Sequence, residues 1–379
     1  MRSDALVIGA GPAGLASAAC LRQRGLQVQL IERGAQLAAS WRAHYDRLHL
    51  HTVKTESALP GLPFPAAAPR YVSRAGVVDY LAAYAVHHGL APQVGEEALA
   101  IVPAAGGWQT STASGRVLRA RTVVVATGAN RWPNRPSFAG EAGFRGRILH
   151  SGDYRNALPF ARQRVLVVGM GNTGAEIALD LVEHGIGVAI SVRAPLNIVH
   201  RDVLGRPTQL TSIALARLPH AWGDAAARVL RDLTVGDLSR YGLKTSPLSP
   251  LRQLREHGKT PVIDVGTLAR IKSREIAVHP GIDRYTAHGV RFVDGTDAPF
   301  DAVILATGYA AGIEKLFPGT ELALDRNGMP VGIVGRGPLQ GIYFVGFDIR
   351  QPGGLLRTIA QQAQQVADEI VAATQTAPR

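Results

Sequence analysis

One phrase occurs twice in this chain, and the repeat limits what the chain can fold into. Leu6-Val7-Ile8 runs into Gly9-Ala10-Gly11-Pro12-Ala13-Gly14, and Val165 to Val168 run into Gly169-Met170-Gly171-Asn172-Thr173-Gly174. Gly9, Gly11, Gly14 and Gly25 recur as Gly169, Gly171, Gly174 and Gly185, each displaced by 160 residues. An apolar strand, G-x-G-x-x-G and a helix of small residues begin a βαβ dinucleotide-binding unit. The first glycine turns the chain off the strand, the second lets a pyrophosphate approach the backbone, and the third brings the helix close to the sheet. The phosphates then lie at a helix N-terminus, where free N–H groups and the macrodipole favour anions.

The copies differ where their second strands end. Val28 to Ile31 end in Glu32 and Arg33, whereas the later copy has Ser191-Val192-Arg193. An acid there grips ribose hydroxyls and repels a 2′-phosphate; Arg193 with Ser191 holds one. The first site therefore suits FAD and the second NADPH. The expected contacts are Gly9, Gly11, Pro12, Ala13, Gly14, Glu32 and Arg33 in the first, and Gly169, Gly171, Asn172, Thr173, Gly174, Ser191 and Arg193 in the second. A second phrase also repeats: Val123 to Val125 lead into Ala126-Thr127-Gly128, and Val303 to Leu305 into Ala306-Thr307-Gly308. Small residues at a strand's C-terminal end mark where open α/β sheets bind ligands, so both are read as backbone crossings near a cofactor.

The fold class that follows is α/β, with two nested Rossmann-like dinucleotide-binding domains in a three-layer, glutathione-reductase-like arrangement. The NADPH domain is inserted into the FAD domain: residues 1–155 and 299–379 bind FAD, and 156–298 bind NADPH. Within this frame, Arg74 to His88 read as a helix and 98–125 as a β meander. Lys259 to Thr267 are expected to lead into strands back to the FAD domain. Leu355 to Ala372 read as a final helix whose start, with Gly354, faces the flavin, and the last residues are expected to fray. The Pro-rich loop Leu59 to Pro65 and Trp41 are candidate walls over the flat cofactor, because such a loop is neither helix nor central strand.

Composition excludes several classes. There is no apolar run long enough to span a bilayer, and the apolar N-terminus passes straight into a strand and turn that the fold needs, so the reading is cytoplasmic. The net charge is +12, from 41 basic residues of which only five are lysine. The cations are scattered, which argues against nucleic acid and for anionic small molecules. The expected partners are a small substrate and O2, with no membrane, in a monomer or homodimer. Cys20 is the single cysteine, so no redox thiol pair exists and disulfide-reductase chemistry is excluded. An NADPH oxidase or reductase, and a non-enzymatic flavin-binding regulator, share the architecture.

The residues between the two sites carry a resemblance. Phe144, Gly146, His150 and Tyr154 match F-x-G-x-x-x-H-x-x-x-[YF], so the chain resembles the class B flavoprotein monooxygenases, the flavin-containing monooxygenase family. The Baeyer–Villiger branch has Trp-Pro where this chain has Tyr154-Arg155. Tyr45-Asp46-Arg47-Leu48 with His51 and Lys54, Lys259 to Thr267, and His279-Pro280-Gly281-Ile282 are similar to the YUCCA-type members, which convert indole-3-pyruvate to indole-3-acetate. The resemblance implies FAD, NADPH and O2. It points to His51, Trp41 and Lys54 as catalytic, and to Ser40, Trp41, Leu48, His49, Gly354 and Leu355 as further cofactor contacts. N- or S-oxygenation is the alternative. A keto-acid substrate wants a cation for its carboxylate, with Arg350, Arg357 and Lys54 as candidates. Two departures lie near the expected flavin: Ala38-Ala39 precede Ser40, and Arg350-Gln351-Pro352 interrupt the C-terminal glycine turn.

Overall fold

Ala5 to Ile8 are all buried and form the centre of a parallel strand, β1 (Ser3–Ile8). It pairs on one side with β2 (Val28–Glu32) and on the other with β3 (Val117–Val125). A strand buried on both faces reads as a continuous apolar run, which is why this one does. β3 changes partners along its length within one seven-stranded sheet. Its first half pairs antiparallel with Gly107–Thr112, which pairs with Ala98–Ala104 and completes the expected meander. Its second half pairs in parallel with β1 and with Ile342–Phe344. The helix α1 (Pro12–Gln23) packs against the C-terminal helix Leu355–Thr376. Gly14, Ala16, Ala18 and Cys20 of α1 are buried, so the small-residue run is what allows the close approach.

The computed structural model describes residues 3–376. They divide into two units: the described residues up to 43, 52–132 and those from 309 on form unit 1, and 44–51 with 133–308 form unit 2. The expectation for the last three residues lies outside the described ones. Among the described residues no helix is long and apolar enough to cross a membrane.

Unit 1 also holds α2 (Arg74–His87), begun by Ser73, whose Oγ accepts from Gly76 N at 3.2 Å. This helix carries the Pro-rich loop. The Tyr80 hydroxyl donates to Leu62 O and accepts from Leu59 N, both at 2.7 Å, and Tyr84 donates to Pro60 O at 2.7 Å. Phe64 stacks on Tyr80 with centroids 3.8 Å apart. Burial raises the Tyr80 pKa to about 12, so the hydroxyl stays a donor.

Unit 2 is built on a five-stranded parallel sheet. Its strands are β4 (Arg147–His150), β5 (Arg164–Val168), β6 (Gly187–Ser191), β7 (Ile276–His279) and β8 (Ala302–Leu305), ordered β7-β6-β5-β8-β4. The helix α3 (Asn172–Glu183) follows β5. Apolar clusters lie on both faces of the sheet.

The units meet the sequence at other boundaries than expected. β4 and β8 pair in one sheet with β5, which puts 133–155 and 299–308 in unit 2. The repeat explains it: β8 lies beside β5 as β3 lies beside β1. Residues 44–51 also fall in unit 2. Val262–Asp264, expected to lead back to the first domain, pairs instead with Ile198–His200 inside unit 2.

Ala38 carries the clearest backbone strain. It is fully buried with φ +57, a left-handed conformation that costs a residue with a Cβ about 1–2 kcal/mol. Its N–H is fixed to Ala10 O at 2.9 Å. Ala38→Gly is expected to hold or raise the thermal midpoint, whereas Ala18→Gly inside α1 lowers it, the helix interior losing about 1 kcal/mol. Thermal unfolding of the two variants checks this.

Candidate functional site

In unit 1, Gly9 turns the chain off β1 with φ +107, and a Cβ there would lie 2.5 Å from the Ala126 carbonyl oxygen. A Cβ on Gly14 would lie 1.7 Å from Gly9 O. Gly11 differs: nothing lies within 4 Å of its Cβ position. It caps α1 with φ −83 and ψ −171, no side chain caps the helix, Pro12 opens it, and its first turn has no acid. The first-turn amides beside an open glycine are an anion cradle.

Glu32 is buried, and its two carboxylate oxygens accept from Ala10 N at 2.7 Å and Gly34 N at 2.8 Å. It braces the glycine turn from the end of β2, while Arg33 is exposed. Ala126 is buried, Gly128 has φ +82, and Thr127 Oγ1 is buried with no partner among the described residues. Ser40 is exposed and Trp41 half-buried on the short helix Ala39–Arg42. Ala13 is buried. Gly354 has φ +93, with its Cβ position 2.5 Å from Thr52 Cγ2, and Leu355 begins the C-terminal helix.

The carboxylate-binding candidates are engaged. Lys54 Nζ donates to Pro65 O, Ala66 O and Ala68 O at 3.2, 2.6 and 2.6 Å. An ammonium has three donors, so Lys54 ties down the Pro-rich loop, and the catalytic expectation for it is corrected on that ground. Arg357 pairs with Glu56 at 3.0 Å and Arg350 with Asp348 at 3.0 Å.

Unit 2 repeats the construction. Gly169 has φ +98 and a Cβ position 2.7 Å from Ala306 O, and a Cβ on Gly174 would lie 2.0 Å from Gly169 O. Gly171 is open and caps α3 with φ −82 and ψ −175, again without a side-chain cap. Each Ala-Thr-Gly phrase therefore backs its own glycine turn. Asn172 clamps the residues singled out as Lys259 to Thr267: it accepts from Ile263 N at 2.6 Å and donates to Pro261 O at 3.3 Å. Ser191 is buried and donates to Pro280 O at 2.7 Å. Its proton is spent inside the fold, which corrects its expected role as a phosphate donor. Arg193 is exposed, and no partner for it is found among the described residues. The Cβ position of Gly281 lies 3.4 Å from Arg193 Cβ, so the two segments are in ordinary contact.

Past β8, Thr307 Oγ1 donates to Asn134 O. Gly308, at φ +80, accepts from Asn134 N at 2.9 Å and faces His150 Nε2 at 3.1 Å. His150 Nδ1 accepts from Gly152 N, so the proton sits on Nε2 and donates to Gly308 O. His150 is thus held by hydrogen bonds at both ring nitrogens.

Leu48, His49 and His51 belong to unit 2, apart from Trp41 and Lys54 of unit 1. Leu48 packs on the unit 2 core and His49 Nδ1 lies 2.7 Å from Arg47 O. His51 Nε2 lies 2.7 Å from Glu176 Oε1, off the line of a hydrogen bond. Tyr45 donates to the same Glu176 oxygen at 3.2 Å and also bonds Thr173. Burial, then Glu176, holds the Tyr45 pKa well above its ordinary value. Glu176 escaped sequence reasoning, although setting the copies side by side puts it opposite Ala16.

Proteins similar to this chain are known. It is 40% identical over 373 residues to indole-3-pyruvate monooxygenase YUCCA1 of Oryza sativa subsp. japonica, covering 97% of this chain and 91% of that one. The chain belongs to the YUCCA-type flavin monooxygenases. The probable indole-3-pyruvate monooxygenase YUCCA1 of Arabidopsis thaliana is 36% identical over 96% of this chain and 89% of its own length. The family model described as pyridine nucleotide-disulphide oxidoreductase matches residues 6–217. A flavin-containing monooxygenase from Stenotrophomonas maltophilia shares the fold, with a TM-score of 0.76 at 24% identity over 99% of this chain and all of that one. This YUCCA-type flavin monooxygenase is an oxidoreductase that uses FAD and NADPH. Its residues fit the two nucleotides: open glycines at two uncapped helix starts, and a buried Thr127 hydroxyl without a protein partner. Cys20 is buried and its thiol pKa is raised by that burial, so it takes no part in disulfide chemistry.

Two outcomes follow from this geometry. Arg193→Ala is expected to raise the KM for NADPH about tenfold while leaving that for NADH alone, the size of one charged hydrogen bond; steady-state kinetics with both nucleotides check it. Burial lowers the His150 pKa below 6.5. The neutral ring belongs to the folded state, so its stabilisation is full above 6.5 and is lost as pH falls through the lowered value. Thermal midpoints from about pH 7.5 to 5 are expected to fall more steeply for the wild type than for His150→Gln.

Proposed function

We propose that the enzyme converts a 2-keto acid of the indole-3-pyruvate kind to the acid one carbon shorter. The keto acid, O2, NADPH and a proton give the shortened acid, CO2, water and NADP⁺. The observation that carries this reading is the 40% identity, over nearly the whole chain, to a relative named as an indole-3-pyruvate monooxygenase.

Unit 1 holds FAD in this reading. The amides after Gly11 take its pyrophosphate, Thr127 Oγ1 meets the nucleotide, and Glu32 keeps the turn in shape for it. Unit 2 holds NADPH, with the amides after Gly171 on the phosphates and exposed Arg193 on the 2′-phosphate. Bound FAD supplies the hydride-accepting and oxygen-activating chemistry. The chain binds, orients and excludes water. Trp41 and the Pro-rich loop, pinned by Lys54, Tyr80 and Tyr84, are the fixed apolar surfaces suited to exclusion. His51, partly buried beside Glu176, is the side chain assigned to the chemistry.

One observation favours a second reading, oxygenation of a soft nitrogen or sulfur atom. The three cations considered for a substrate carboxylate, Lys54, Arg350 and Arg357, already have partners. NADPH consumption with indole-3-pyruvate, phenylpyruvate, trimethylamine, a thioether and a cyclic ketone, with products identified by mass, decides between them. The expected result is indole-3-acetate and CO2 matching NADPH consumed. An N-oxide or sulfoxide as the main product overturns the keto-acid reading, and NADPH consumed only to peroxide overturns oxygen transfer altogether.

A further inference from the structure

The two glycine turns are near copies, yet the helices behind them bury different chemistry. Displacement by 160 sets Glu176 opposite Ala16 and Asp180 opposite Cys20. In α1 those small residues are buried. In α3 they are replaced by two buried acids one turn apart, 4% and 6% exposed, with Glu183 continuing the row. Ionised carboxylates leave water only when partners are supplied. Here the short segment 44–51 supplies most of them. Tyr45 and His51 meet Glu176, and Arg47 pairs with Glu183 and lies 3.9 Å from Asp180. Tyr154 completes Asp180 at 2.5 Å.

His51 is the odd member of this row. Tyr45 has a second partner in Thr173, but both ring nitrogens of His51 are buried with no hydrogen-bond partner among the described residues. Nε2 nonetheless lies 2.7 Å from a Glu176 carboxylate oxygen, off the line of a hydrogen bond. A ring lone pair facing a carboxylate at that distance is repulsive, and a proton there is attractive. Of the two neutral ring forms, Glu176 favours the one protonated on Nε2, which leaves the lone pair on Nδ1. A buried acceptor left unpaired by its own fold is what a site for an incoming donor looks like.

We propose that Glu176 is a positioning residue: it holds His51 in the Nε2–H form and so presents Nδ1 as a hydrogen-bond acceptor to the reacting molecules. Tyr45 supports the arrangement by satisfying the same oxygen and staying a neutral donor. This inference rests on the assignment of His51 to the chemistry, and the test separates the two.

Nitrogen-15 NMR of histidine-labelled enzyme, with the His51 signals identified by their loss in His51→Asn, reads the ring form directly. The wild type is expected to show the Nε2–H pattern. Glu176→Gln keeps a carbonyl acceptor and is expected to retain it; Glu176→Ala is expected to show exchange between both forms. In steady state, Glu176→Ala is expected to lower kcat roughly tenfold with the KM for NADPH held, and Glu176→Gln to recover most of that loss. An unchanged ring form in folded Glu176→Ala overturns the proposal. If Glu176→Ala does not fold, Glu176→Gln still decides: loss of the Nε2–H pattern there overturns it, and retention with near-normal kcat supports it. A protonation pattern as expected but a His51→Asn enzyme with full kcat defeats the role of His51 and leaves the Glu176 geometry standing.

Discussion

The fold depends on a contact between backbones. Gly9 presses on the carbonyl of Ala126, and Gly169 presses on that of Ala306, at distances no Cβ would allow. Each contact joins the strand that precedes a glycine turn to the end of a strand more than a hundred residues away in the chain. Everything the nucleotides need is set by it: the sharp turn, the helix start and the open glycine beside it. Because only backbone atoms take part, the side chains around each turn are free to differ between the copies.

That freedom is where the two halves diverge. The first turn is braced by a buried acid, Glu32, that gives both oxygens to nearby amides. At the second turn a neutral amide, Asn172, reaches across to Pro261 and Ile263. Behind the turns, small residues let α1 pack on another helix, while α3 carries a row of acids and gathers tyrosine, arginine and histidine around it. The same scaffold thus supports a packed helix pair in one unit and a polar, hydrogen-bonded seam in the other.

Much of this could be read from the residues. Both glycine turns, their helices, the meander and the Arg193 position follow from local pattern, because strand, turn and helix chemistry is written over a few neighbouring positions. What escaped was long-range. The assignment of β4 and β8 to the second sheet is a matter of strand pairing across 150 residues, and no local period reports it. Lys54 looked like a free cation until three carbonyls from a loop more than ten residues on were found around it. Ser191 looked like a phosphate donor until Pro280 took its proton. Glu176 was visible only by comparing the copies position by position, since a lone acid in a helix has no signature of its own.

The shared strand β3 has a consequence for how the chain is made. One half of it joins a meander that is complete by residue 125, but the other half borders Ile342–Phe344. Unit 2 closes at residue 308, before that last strand has been synthesised. On the ribosome the inserted half has all its strands first, while the half it interrupts waits with an open sheet edge for Ile342–Phe344. Early-emerging surface that is finished last is the kind that chaperones shield, and here it is the edge of the strand that runs into Ala126, the residue against which Gly9 turns.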